Sequence, residues 1–516
     1  MTPRLRSGAP APPIASGTDR VTPLHRQVYA GIRRSILDGT LAPGARLASA
    51  RVLADELAVS RNTVLTALAQ LRAEGYVSTQ ERAGTFVAST LPETTLAALR
   101  RPTSPNRQTR PTPARVGLSA RGQSLAALGA AGSADQLDAH GDAASAAGAG
   151  DAGAEVRAFR TGVPALDEFP WRLWARLTAR RLRGSMKTLG GYGAAAGFGP
   201  LRGAIAAHVA TTRGTSCAPE QVIVTGGAQQ ALELVVRLLL DSGDRVWMED
   251  PGYPRARSVF LAAGACVEPV PVDDEGLDVR AGVRAAPDAR LVYVTPSHQY
   301  PTGAIMTASR RFELLRWAAS SNAWIVEDDY DSAYRYASRP LAALHGLDHA
   351  GRVLYVGTFS KTLFPALRLG YLVVPPPLAE AFAAARALTD RHPPGVEQAV
   401  LADFLIEGHF ARHVRRMRML YHERRDVLLE AAPALLGDRL TLSSGDAGMH
   451  LVGQLPPGVD DQDISARALS RGVVAPALSR YAVRRPERGA LLLGYSAFPP
   501  RVLRAALRRL AETLER

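Results

Sequence analysis

Of the 62 lysines and arginines in this 516-residue chain, only Lys187 and Lys361 are lysines. Arginine stays protonated and forms no imine under protein conditions, so a lysine here invites a chemical reading that the arginines do not. Lys361 has the richer surroundings. Thr358 and Ser360 precede it and can donate to a phosphate, and Arg368 follows seven residues later for charge-assisted bonding. Gly226 and Gly227 let a backbone approach closely, while Ala228 and Gln229 open a helix whose free N–H groups favour an anion. Asp328 ends the buried run "WIVED", where an unpaired carboxylate is costly and a cationic ring nitrogen would satisfy it. Tyr253, in "EDPGYP", offers an aromatic face. Singly, each has a plainer reading: a helix cap, core packing, a surface pair, an ordinary turn.

Together they are the parts needed to hold pyridoxal phosphate (PLP). The elements that must position them are four apolar runs ending in polar or glycine-rich residues: 222–232, 291–303, 323–334 and 352–371. Such runs alternate with helical stretches from residue 156 onward, which predicts an α/β domain with a mainly parallel sheet. Ligands collect at the carboxyl ends of such strands, so four chemically different groups are expected in one pocket. Lys187, in "RGSMKTLGGY", lacks comparable neighbours.

The first patterned region, 18–90, reads differently. Leu24, Val28, Ile32, Ile36 and Leu37 have helical spacing, with Gly39 as a stop. A short helix is expected over 49–58. Ser60 then caps a third, in which Val64, Leu68 and Leu71 form the buried stripe and Gly75 ends the helix. Arg61, Asn62, Thr63 and Thr66 fall on its exposed N-terminal part, and two short strands around "ERAG" make a hairpin. A helix that enters the major groove N-terminus first presents just such residues to bases and phosphates. An interaction or dimerisation module is the alternative from pattern alone.

Composition sets bounds. The net charge of +14 permits an anionic partner, but residues 18–90 hold nine arginines against six acidic residues, so charge alone does not establish nucleic-acid binding. No apolar run is long enough for a membrane span, and no signal peptide is legible, so a cytoplasmic location is expected. Cys217 and Cys266 lie far apart without metal-ligand spacing, and no metal is expected. Residues 91–155 are Pro-rich, then Ala/Gly/Ser-rich, and read as a flexible linker spanning roughly 45 Å on root-mean-square, with alanine allowing transient helix.

The segment "GARLASARVLADELAVSRNTVLTALAQLRAEGYVSTQERAGTFVA" resembles the GntR-family winged helix-turn-helix. That resemblance implies DNA contacts by Arg51, Ser60, Arg61, Asn62 and Thr63, with Arg82 and Gly84 in the wing. Ala48 and Ser49 stand where the family often has Pro-Ser. Residues from about 160 resemble fold-type I aminotransferases, with a large domain and a small α+β C-terminal subdomain. By resemblance, Lys361 is the Schiff-base lysine that holds PLP as an internal aldimine, and Asp328 the partner of the pyridine nitrogen. Tyr330 then lies near the phenolic oxygen and Tyr253 stacks on the ring, with Ala228, Gln229, Thr358, Ser360 and Arg368 as the phosphate cup. Tyr192 would reach the neighbouring subunit's phosphate. Two departures stand out: Tyr300 replaces the asparagine of the "NPTG" turn, with His298 or Gln299 as substitutes, and Leu492 lies where the enzymes carry an arginine. Arg255 and Arg480 are alternative anion receptors.

Joined in one chain, the two halves resemble the MocR/GabR class of bacterial regulators. The resemblance implies a winged helix-turn-helix domain at 18–90, a linker at 91–155 and a PLP-binding effector and dimerisation domain at 156–516. It also implies a head-to-tail homodimer on paired half-sites of promoter DNA, answering an amino compound or PLP, without steady turnover and with at most a residual half reaction. A working aminotransferase with an auxiliary DNA-binding domain, and a PLP-independent repressor, are the alternatives.

Overall fold

A computed structural model of the chain describes residues 23–80, 83–89, 123–128, 158–184, 186–336 and 342–515. Two compact units divide the chain, Met1–Val116 and Gly117–Arg516. Among the described residues no helix is long and apolar enough to cross a membrane.

The first unit is built on three helices and a hairpin: α1 (Leu24–Leu37), α2 (Ala50–Glu56), α3 (Arg61–Ala73), β1 (Val77–Gln80) and β2 (Gly84–Val87). Val28, Ile32 and Ile36 of α1 bury against Ala67 and Leu71 of α3, with Tyr76, Val77 and Val87 closing the cluster. Leu24 and Leu37 are exposed. Leu37 follows Ile36 by one residue, a rotation of about 100° that carries it off the buried stripe. Leu68 is only half-buried, and Ala67 takes the deeper place. Ser49 caps α2 and Ser60 caps α3, each side chain accepting from a backbone N–H three residues on. The expected 49–58 helix stops at Glu56, and Ala58 turns left-handed at φ 51°. Gly75, at φ 81°, reverses the chain into β1, which pairs antiparallel with β2.

Residues 123–128 are helical, inside the stretch expected to be a linker; the rest of 91–155 lies outside the described residues.

The second unit is an eight-stranded sheet. Its strands are β3 (Val222–Thr225), β4 (Arg245–Asp250), β5 (Cys266–Asp273), β6 (Gly276–Leu277), β7 (Leu291–Val294), β8 (Trp324–Asp329), β9 (Val353–Thr358) and β10 (Gly370–Val373). They lie in the order β3-β10-β9-β8-β7-β4-β5-β6. The run β9-β8-β7-β4-β5 is parallel, whereas β10 lies antiparallel between β3 and β9 and β6 antiparallel to β5. β3 and β7 are buried along their whole length, as a sheet covered on both faces requires. A smaller antiparallel sheet of β11 (Thr441–Leu442), β12 (His450–Gln454) and β13 (Ala490–Gly494) packs with the helices His409–Leu436, Asp461–Ser470 and Pro500–Leu514 around their own core. The α/β fold with a small α+β subdomain is as expected. The reversed β10 was not legible, because strand direction depends on the connection and not on the strand's own residues.

Leu71 is fully buried where α3 meets α1. Leu71→Ala should cost roughly 2–5 kcal/mol and lower the melting of the first unit alone, read by calorimetry of the full chain.

Candidate functional site

The carboxyl ends of β3, β7, β8 and β9 open into one cavity of about 520 Å³. At the end of β3, Gly227 (φ 110°) caps the helix Ala228–Leu239 without any side-chain hydrogen bond. The first N–H groups of that helix are therefore available to an anion. A Cβ on Gly227 would lie 3.3 Å from the Arg368 guanidinium, and one on Gly370 would lie 2.9 Å from the Gly227 backbone. Two glycines thus let β3 and β10 approach closely and set Arg368 beside the helix N-terminus. Arg368 itself takes the left-handed conformation, at φ 50°. Thr358 and Ser360 line the same end of the cavity.

Opposite them, Asp328 is fully buried. Its Oδ2 accepts from the Tyr293 hydroxyl at 2.7 Å, while its Oδ1 has no hydrogen-bond partner. Burial pushes its pKa up to about 7, against the opposing hydrogen bond from Tyr293. An orphaned carboxylate oxygen at a cavity wall fits a cationic ring nitrogen. Burial also lowers the pKa of Lys361, which favours the neutral, nucleophilic amine. Its Nζ donates to the Gly162 carbonyl at 2.8 Å. The Tyr330 hydroxyl lies 2.9 Å from His298 Nδ1, which also faces Asp331 at 3.0 Å. Next in sequence to Asp328, Asp329 is held ionised despite its burial by Arg213 at 2.7 Å and by the Tyr355 hydroxyl. Neighbouring carboxylates therefore stand in opposite electrostatic settings.

In the first unit, α3 exposes Arg61 and Asn62, and Arg51 is exposed on α2. The Ser60 and Thr63 hydroxyls bond one another at 2.8 Å as part of the cap. Gly84 begins the second wing strand at φ 114°, and Arg82 lies outside the described residues.

Residues 24–87 match the bacterial regulatory proteins of the gntR family, and residues 160–510 match aminotransferase class I and II. The chain is 41% identical to the probable rhizopine catabolism regulatory protein MocR of Rhizobium meliloti, over 95% of this chain and 94% of that protein. It belongs to the MocR-type, GntR-family transcriptional regulators. The HTH-type transcriptional regulator TauR of Rhodobacter capsulatus is 35% identical over 94% of this chain and 95% of its own length. Among solved structures, a Pyrococcus horikoshii kynurenine aminotransferase superimposes with a TM-score of 0.66 at 28% identity, covering 70% of this chain and 91% of that one. The aminotransferase class implies PLP dependence for the family.

In this MocR-type regulator, Lys361, Asp328, Tyr330, Tyr253, Ala228, Gln229, Thr358, Ser360, Arg368 and Arg255 all line the one cavity. Two expected site residues do not. Tyr192 is 77% exposed, with the Arg391 guanidinium 3.6 Å above its ring. Arg480 is exposed and borders a separate depression with Gln462 and Leu469. Neither expected substitute for the missing asparagine reaches the cavity wall. Gln299 is turned away to Glu249, the Pro251 carbonyl and the Tyr300 carbonyl. His298 stands behind Tyr330. Tyr300 itself lines the cavity, edge-on to Tyr253, Tyr330, His450 and Tyr481 at 5.4–5.8 Å between ring centres. Leu492 is fully buried in β13.

Sequence reasoning missed Tyr293 and Gly162. Tyr293 carried a usable signal: a tyrosine inside an aliphatic strand must find a partner for its hydroxyl. Gly162 carried none, since nothing in "RTGVPAL" points 199 residues ahead to Lys361.

The raised pKa of Asp328 has a defined consequence for stability. The folded, cofactor-free protein holds that proton more tightly than the unfolded chain does. The stabilisation is full below about pH 4 and is lost as pH rises through about 7. Asp328→Asn should therefore gain on the wild type, by on the order of a few kcal/mol, between pH 5 and 8 in denaturant melts of cofactor-free protein. Parallel curves would remove the assignment.

Proposed function

We propose that this regulator holds PLP in the cavity and alters its grip on promoter DNA when an amino compound, or PLP itself, arrives. The observation that carries the reading is the buried Asp328 with a free oxygen, in the same cavity as the Lys361 amine, Arg368 and an uncapped helix N-terminus. Lys361 would take the aldehyde, Asp328 the ring nitrogen, Tyr330 the phenolic oxygen and Tyr253 the ring face. Ala228, Gln229, Thr358, Ser360 and Arg368 would take the phosphate. Tyr192, exposed in one chain, would serve the partner's site in a head-to-tail homodimer. Arg255, which lines the cavity, rather than Arg480, which borders a separate depression, would receive an anionic end of the effector.

Once bound, PLP supplies an aldehyde for which Lys361 and a free amine compete. The chain's own residues offer a route for reporting the outcome. A free Lys361 amine donates to the Gly162 carbonyl. Gly162 belongs to the segment that follows the linker in sequence, and this segment is strapped to the small subdomain. The Ala158 carbonyl accepts from Val474 N–H, the Phe159 carbonyl from Gly494 N–H and the Val163 carbonyl from the Ser496 hydroxyl. Engaging or freeing Lys361 thus changes a bond in the strap on which the linker ends. The switch works only if the effector binds the two arrangements with different affinities. The two α3 helices of a dimer would then read paired half-sites through Arg51, Ser60, Arg61, Asn62 and Thr63, with the wing at Arg82 and Gly84.

Steady aminotransferase turnover is disfavoured by Tyr300 in the asparagine's place and by the buried Leu492. Mixed with amino and keto acid pairs, the protein should give at most one equivalent of product; sustained turnover would favour the enzyme reading. Lys361→Ala should lose the visible absorbance of the purified protein and any borohydride-trapped pyridoxyl peptide. Arg61→Ala should keep both while binding operator DNA at least about tenfold more weakly, the scale of one lost base or phosphate contact. A colourless wild type that cannot be reconstituted would end the cofactor reading, and unchanged binding by Arg61→Ala the DNA reading.

A further inference from the structure

We infer that Leu65 is a specificity-determining residue of the reading helix, making apolar contact with the 5-methyl group of a thymine in the major groove. The inference rests on the reading of α3 as the DNA-contacting helix. Arg61, Asn62, Leu65, Thr66 and Ala69 share the exposed face of α3, while Val64, Ala67 and Leu71 take the buried one. Leu65 is 44% exposed. A single exposed leucine on a surface is unremarked in general. This one, however, stands one helical turn after Arg61 and Asn62, the two groups best suited to phosphates and base edges.

The neighbouring polar side chain does not offset it. The Thr66 hydroxyl donates to the Asn62 carbonyl at 2.9 Å, so it is occupied within the helix. The Ser60 and Thr63 hydroxyls are likewise engaged with each other. In its second turn, therefore, the outward face of α3 is apolar at Leu65, the Thr66 methyl and Ala69, before Gln70 and Arg72 make it polar again. Among the groups on the major-groove floor, only the thymine methyl is apolar, and it is the one base feature that such a patch can recognise. The positive and amide groups at the N-terminal end match the phosphates and base edges that flank it. A duplex, and not a protein surface, is the complementary partner for this order of side chains.

The test uses the full-length, cofactor-loaded protein and a random duplex library. Sites selected by the wild type are remade with single deoxyuridines in place of thymines, which removes only the methyl group. Affinities are then measured by fluorescence anisotropy at one salt concentration. At one thymine in each half-site the wild type should lose roughly fourfold in affinity, the worth of one buried methyl-sized group. Leu65→Ala, whose helix content is checked by circular dichroism, should bind the thymine and deoxyuridine duplexes alike at that position. On reselection it should lose the thymine preference there while keeping its other preferences. Wild-type indifference to every deoxyuridine would overturn the proposal, as would equal sensitivity in Leu65→Ala. A Leu65→Ala variant that changed oligomeric state without changing deoxyuridine sensitivity would assign the leucine to a protein contact and overturn it too. If no sequence is enriched, the DNA reading of α3 fails and takes the inference with it; an enriched but methyl-indifferent site removes the leucine alone.

Discussion

The half-buried Lys361 amine donates to the Gly162 carbonyl at 2.8 Å, a bond that fixes where the lysine stands. That contact depends on a glycine: at φ 68°, with a Cβ position 2.7 Å from the lysine nitrogen, residue 162 admits no side chain while Lys361 holds its place. The same short segment is bonded to Val474 and Gly494 of the small subdomain. One hydrogen bond therefore joins the chain just after β9 to a segment bonded to the smaller lobe. Asp328, Asp331, Arg255 and Arg368 surround the same amine with charges of both signs.

Neighbouring carboxylates divide the work around that amine. Asp329, one residue from Asp328, is neutralised by Arg213 and Tyr355 and acts as internal structure. Asp328 has only Tyr293, and one of its oxygens is left free. Alternation along β8 sends the two side chains to opposite faces of the sheet, so a single strand end supplies both a satisfied ion pair and an unsatisfied acceptor.

Tyr300 accounts for much of what separates this cavity from that of a free-standing enzyme. Where a small amide is expected, it supplies an aromatic wall touching four other rings. Gln299, turned to Glu249 and two backbone carbonyls, binds the Tyr253 and Tyr300 turns together from behind. The wall is thus held in place from behind, and the Gln299 amide does not line the cavity.

The types of the candidate site residues, the order along the chain of the strands that carry them and the Ser60 cap of the third helix could be read from the chain itself. Local chemistry decides them: a serine before an amphipathic run caps a helix, and a carboxylate ending an apolar strand demands a partner. What the sequence left open is what depends on contacts between distant segments. The reversal of β10, the meeting of Gly162 with Lys361, the turning of Gln299 away from the cavity and the exclusion of Arg480 each depend on how separate elements pack. No periodicity within one segment records such a packing. Leu65 stands between the two cases. Its helical position was legible, but its exposure was decided only once α1 had covered the other face of α3, because burial belongs to the pair of helices and not to either one.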